Sequence, residues 1–106
     1  MQTLNFYPIY QAAILTHTKN TTVRLGDQSA KYTIGECGIT FSWEVPPSKH
    51  VKPHHFVSII SVDVVLLKSY LTWVDNSENT LEVLQLVYRT QISPDDMVTV
   101  ITWRNV

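Results

Sequence analysis

The sequence predicts an α+β fold, a small closed or nearly closed barrel of mostly antiparallel strands with two flanking helices. Three observations predict it. Apolar residues recur at helical spacing in two separate stretches; β-branched segments alternate between and after them; and successive strands lie next to one another in the chain. That last order favours antiparallel pairing over parallel crossovers. The 106 residues fit one domain, covering 1–106, and 44% hydrophobic against 16% charged residues describes a globular chain. No internal repeat or low-complexity segment interrupts it.

Taken in order, Phe6, Ile9, Tyr10, Ala13 and Ile14 fall three and four apart. This predicts a helix over about 6–17, capped by Asn5 and with Pro8 in its first turn, where a missing N–H costs little. Thr21 to Leu25 reads as a strand, Val23 and Leu25 facing one way and Thr22 and Arg24 the other. Gly26 and Asp27 mark a turn. From Gly38 to Val45, Ile39, Phe41, Trp43 and Val45 alternate with polar residues, the pattern of a half-buried strand. Pro46 to Pro53 holds three prolines and two lysines and is expected to be an exposed loop. Phe56 to Leu67 is apolar on both faces, so a central strand buried on each side is expected. A linking segment over 68–76 would be anchored by Tyr70 and Trp73. Leu81, Leu84, Val87 and Tyr88 predict a second helix, with Ser77 or Thr80 as its cap. Pro94 stops that helix, and Val98 to Trp103 forms a last strand.

Charge and cysteine usage narrow the function classes. A net charge of −1, from 8 Lys and Arg against 9 Asp and Glu, argues against strong non-specific binding to nucleic acid. The single Cys37 permits no internal disulfide. Residues 1–10 carry no basic residue and no clean apolar run, unlike a signal peptide. The longest apolar stretch, 59–67, is broken by Ser61 and Asp63 and is too short to span a bilayer. A soluble, cytoplasmic protein without membrane partners is expected. Phosphate loops, nucleophile elbows and paired-cysteine zinc signatures are absent, so no cofactor is expected.

One constellation bears on chemistry. In Lys19-Asn20-Thr21-Thr22-Val23-Arg24, Thr22 and Arg24 share a strand face, and Lys19 at the strand entrance reaches the same space. An amine, a hydroxyl and a guanidinium converging there suit acyl transfer. On residue types alone, such a face is more often simply solvated.

That segment, preceded by Phe6 through Leu15 and followed by Tyr32-Thr33-Ile34-Gly35-Glu36, resembles the opening of the ASCH superfamily of PUA-like barrels. The nearest branch is the small bacterial amidohydrolases that convert 4-acetylcytidine to cytidine and acetate. It is similar in length to nearly the whole chain. The resemblance implies a lysine base at Lys19, a threonine nucleophile at Thr22 and a glutamate acid at Glu78. Glu82 is the alternative acid, because one residue is missing before Thr80-Leu81. His17-Thr18 replaces the glycine and basic residue of the pattern, and Asn20 replaces a threonine. A neutral Lys19 would activate Thr22, Glu78 would protonate the departing amine, and Arg24 or a backbone N–H would steady the oxyanion. The implied partner is a small nucleoside, with a weak contact to RNA also conceivable; oligomeric state is not indicated.

Two further features, the histidines and the aromatic residues, bear on metal and base binding. His50, His54 and His55 lie in the Pro-rich loop with no nearby Cys, and His17 lies elsewhere, so a solvated loop rather than a metal site is expected. Of the aromatic residues, most must serve the core, and Phe6, Tyr7 and Tyr32 are the best candidates to stack on a base. The alternatives to the hydrolase are a non-catalytic PUA-like RNA-binding module and a ribonuclease-like ASCH activity. The near-neutral charge disfavours both.

Overall fold

The computed structural model describes residues 2–74 and 77–106, with side chains described for all of these except 77–79. It is an α+β arrangement built on one curled, five-stranded mixed sheet. The strands are β1 (Gln2–Phe6), β2 (Thr21–Leu25), β3 (Gly35–Phe41), β4 (His55–Leu66) and β5 (Met97–Asn105). Their order across the sheet is β1-β3-β4-β5-β2. β1 runs parallel to β3, and every other pairing is antiparallel. Three α-helices accompany the sheet: α1 (Gln11–Leu15), α2 (Leu67–Trp73) and α3 (Ser77–Arg89). A short 3-10 turn, Pro8–Tyr10, precedes α1. The expected two helices are thus three.

The expected helix over 6–17 is divided. Leu4 and Phe6 alternate with Thr3 and Asn5, and this two-residue period puts Leu4 and Phe6 into the core as part of β1. Asn5 caps nothing. Its side chain ties the edge of the sheet together, donating to the Ser42 carbonyl and accepting from the Thr40 hydroxyl. Helical geometry starts only after Tyr7, with Pro8 in the first turn.

β4 is central in sheet order, but Ile60 is exposed and most of its C-terminal half only partly buried. The strand covered on both faces is β5. Its Ile101 and Trp103 pack with Leu4, Phe6, Tyr10 and Ile39 on one side, and its Val98 and Val100 pack with Val23, Leu67, Tyr70 and Val83 on the other. A register shift between Ile59 and Ser61 marks an irregularity along β4. β3 ends at Phe41, so the expected alternation does not continue: Trp43 and Val45 are exposed in the loop that follows. Tyr70 anchors α2 as expected, whereas Trp73 is exposed.

Of the apolar stripe expected to bury α3, Leu81 packs against the core but the rest turns away from it. Leu84, Val87 and Tyr88 face outward, Tyr88 with 86% of its surface exposed. The buried face instead carries Glu82 and Val83 and packs over β2. Among the described residues, no helix is long and apolar enough to cross a membrane.

Candidate functional site

Residues 16–19 form a tight reversal that delivers Lys19 into the interior. The Thr18 N–H donates to the Ala13 carbonyl and the His17 N–H to the Ile14 carbonyl, the paired bonds of a Schellman cap. His17 takes a left-handed φ of 65°, the position that glycine fills most easily. The Lys19 N–H also donates to Ala13, and the Thr16 and Thr18 hydroxyls reinforce the same turn. The chain then enters β2, where the Asn20 carbonyl accepts from the Trp103 N–H and Thr22 sits opposite Ile101 of β5.

Glu82, from α3, meets both residues. Lys19 Nζ donates to Glu82 Oε2 at 2.9 Å and to the Thr21 carbonyl at 2.7 Å. The Thr22 hydroxyl donates to Glu82 Oε1 at 2.5 Å, and the Val23 N–H lies 3.4 Å from Oε2. The ammonium also stands 5.2 Å from the centre of the Tyr10 ring and 5.7 Å from that of Phe6. Exposure is 2% for Lys19, 0% for Thr22 and 8% for Glu82. These distances fix what each group can do. The acceptor for the Thr22 proton is Glu82, while Lys19 holds the other carboxylate oxygen and compensates its charge.

Glu82 is the member of this set that reaches a cleft of about 110 Å³. Phe6, Tyr7, Tyr10, Arg24 and Arg89 share its lining with Asn5, Val23, Val45, Gln85 and Leu86. The Tyr10 hydroxyl donates to Gln85 Oε1 at 2.7 Å and ties the 3-10 turn to α3 across the cleft. The Arg24 guanidinium lies 5.0 Å from the Phe6 ring centre and donates from Nη2 to the Asn5 carbonyl. Arg89 lies 4.9 Å from the Tyr7 ring centre, and Tyr7 stacks on Trp43 at 5.2 Å.

The sequence-predicted residues therefore divide. Lys19 and Thr22 come together around one carboxylate; Arg24, Phe6 and Tyr7 line the adjoining cleft. Tyr32 does not. It is buried in the core with Cys37 and Ile39, and its ring faces Lys31. The Glu78 side chain lies outside the described residues; the carboxylate found at Lys19 and Thr22 is that of Glu82. Arg89 and Gln85 were not anticipated, although Glu82, Gln85 and Arg89 are spaced at i, i+3 and i+7 and so share one helical face.

Two neighbouring groups bear on reactivity. Burial pushes the Cys37 thiol up to about 11, against which a backbone hydrogen bond at Leu4 and the charge of Arg24 act only weakly, so Cys37 is not a nucleophile at neutral pH. Burial, with a smaller contribution from the Glu82 charge, raises the Tyr70 phenol and keeps it neutral. Among the described residues, no group of three or more His, Cys, Asp or Glu side chains could hold a metal ion. His17 and His55 approach to 6.3 Å between ring centres, and His55 Nε2 is 2.9 Å from Asn105 Oδ1. No family model, curated protein or solved structure matches this chain.

Proposed function

We propose that the protein is an amidohydrolase that removes the acetyl group from a 4-acetylated cytosine nucleoside, as the resemblance to the ASCH branch implies. The supporting observation is the hydroxyl–carboxylate–ammonium chain from Thr22 through Glu82 to Lys19, set beside an aromatic and arginine-lined cleft. Its geometry supports roles that differ from those the resemblance implies. Glu82 Oε1 takes the Thr22 proton as the threonine oxygen adds to the acetyl carbon. Lys19, charged and hydrogen-bonded to Oε2, orients that carboxylate and limits the cost of its burial. A backbone N–H, that of Val23 at 3.4 Å from Glu82 Oε2, steadies the developing oxyanion. Collapse breaks the C–N bond, the proton on Glu82 passes to the ring amine, and water then releases acetate from Thr22.

The complete burial of Thr22 favours one second reading. In a binding module, the same three groups would serve as a buried polar pin for the cleft wall, with no chemistry at Thr22. The assay that separates them follows cytidine release from 4-acetylcytidine by the parent protein and by Thr22→Val, Glu82→Gln and Lys19→Met. The hydrolase reading expects turnover by the parent and none by Thr22→Val, while circular dichroism shows that variant folded. No turnover by the parent, or full turnover by Thr22→Val, removes it.

A further inference from the structure

We propose that the cleft is built for an anionic substrate, with Arg24 and Arg89 gripping the phosphate of a pyrimidine mononucleotide whose base lies towards Glu82. The proposal rests on the cleft being the substrate site and adds the charge class of what enters it. Its first support is local charge. Arg24, Arg89 and Glu82 are the charged residues of the lining, and Glu82 is already neutralised by Lys19 behind it. The cleft therefore carries an excess of about two positive charges in a chain whose net charge is −1. Neither guanidinium is paired with a carboxylate among the described residues.

The second support is unused hydrogen-bonding capacity. Arg24 Nε is buried with no hydrogen-bond partner, although buried donors are nearly always satisfied. Its Nη2 donates to a neutral backbone carbonyl rather than to a carboxylate. A guanidinium offers five donors in a planar fork that matches phosphate oxygens. The third support is position. Each guanidinium rests on an aromatic ring of the cleft wall, Arg24 on Phe6 and Arg89 on Tyr7, which keeps both charges in the lining. A cleft of about 110 Å³ has room for one flat ring, in line with the order of magnitude for cavities that hold benzene, and leaves a sugar phosphate at the mouth. A neutral nucleoside would leave both cations without an anionic partner among the described residues.

The test uses ligands that carry no amide, so it stands apart from hydrolysis. Binding of cytidine, 5′-CMP, inorganic phosphate and a short oligocytidylate is measured by calorimetry at low and high salt. The comparison covers the parent protein, Arg89→Ala and Arg89→Lys, each checked for folding by circular dichroism. 5′-CMP should bind about tenfold or more tighter than cytidine, the gap expected of a charge-assisted contact, and added salt should narrow that gap. Arg89→Ala should bring 5′-CMP close to cytidine, with Arg89→Lys between. Equal binding of 5′-CMP and cytidine, an undiminished gap in Arg89→Ala, binding by the oligonucleotide alone, or no binding by any ligand would each overturn the proposal. Equal binding would leave hydrolysis of the acetylated nucleoside standing; inactivity towards 4-acetylcytidine would leave a preference for 5′-CMP standing.

Discussion

Replacing Glu82 by glutamine isolates the charge at the centre of the site. The amide has the size of the carboxylate and can still accept from Thr22, but it cannot neutralise Lys19, which would remain 2% exposed beside two aromatic rings. Breaking a buried ion pair by removing one partner costs about 3–5 kcal/mol, because the remaining charge is stranded. For a chain of this size, each kcal/mol moves the melting temperature by roughly 4–8 °C, so Glu82→Gln should lower it by about 12 °C at the least. Urea unfolding, with the slope unchanged, is the assay. Lys19→Met in the same protein should recover most of the loss, since removing both charges leaves neither one buried alone. The coupling in the double-mutant cycle should exceed about 1 kcal/mol. A loss below about 1 kcal/mol in Glu82→Gln, with no coupling to Lys19, would refute the claim that these groups form a buried, charged pair.

Three further outcomes are expected. The Cys37 thiol ordinarily titrates near 9.0, and burial moves it to about 11 in the folded protein. The unfolded chain therefore loses that proton first, and stability present below pH 9 falls as pH rises towards 11; Cys37→Ala should flatten this alkaline arm in denaturation curves taken across that window. Tyr70→Phe removes a buried hydroxyl that has no hydrogen-bond partner, so thermal unfolding should show unchanged or higher stability, by up to about 1–2 kcal/mol, and a clear loss would mean that the hydroxyl is satisfied after all. His17→Gly relieves a left-handed backbone that costs other residues about 1–2 kcal/mol, less the glycine entropy of the unfolded chain, so a gain of a few tenths to about 1 kcal/mol in chemical denaturation is expected.

Much of this molecule can be read from its residues, and the failures have physical causes. Thr21 to Leu25 and Val98 to Trp103 are strands because short β-branched alternation admits little else. Phe6, Ile9 and Tyr10 misled because the end of a strand and the start of a helix, joined at Pro8, produce spacings of three and one that imitate a single helix. α3 misled for a more instructive reason. Hydrophobic periodicity assumes that the buried face is apolar, yet this helix buries Glu82 because Lys19, 63 positions earlier, supplies its countercharge. Such a long-range pairing leaves no local pattern. Lys19, Thr22 and Arg24 were legible as a group, since two-residue spacing puts Thr22 and Arg24 on one strand face and Lys19 stands at the entrance to that strand; Glu82 entered only as the alternative acid of the resemblance and Arg89 not at all, because only the packing of α3 over β2 brings them near.

The strand order carries a consequence for how the chain is made. β2 emerges early from the ribosome, yet its sheet neighbour is β5, the last strand to be synthesised. Until that partner arrives, residues 21–25 present open edges, and Thr22 lacks the strand that pairs with it. Assembly of the cleft therefore waits for residues 97–105, and a nascent chain stalled before β5 offers a holding chaperone an exposed strand.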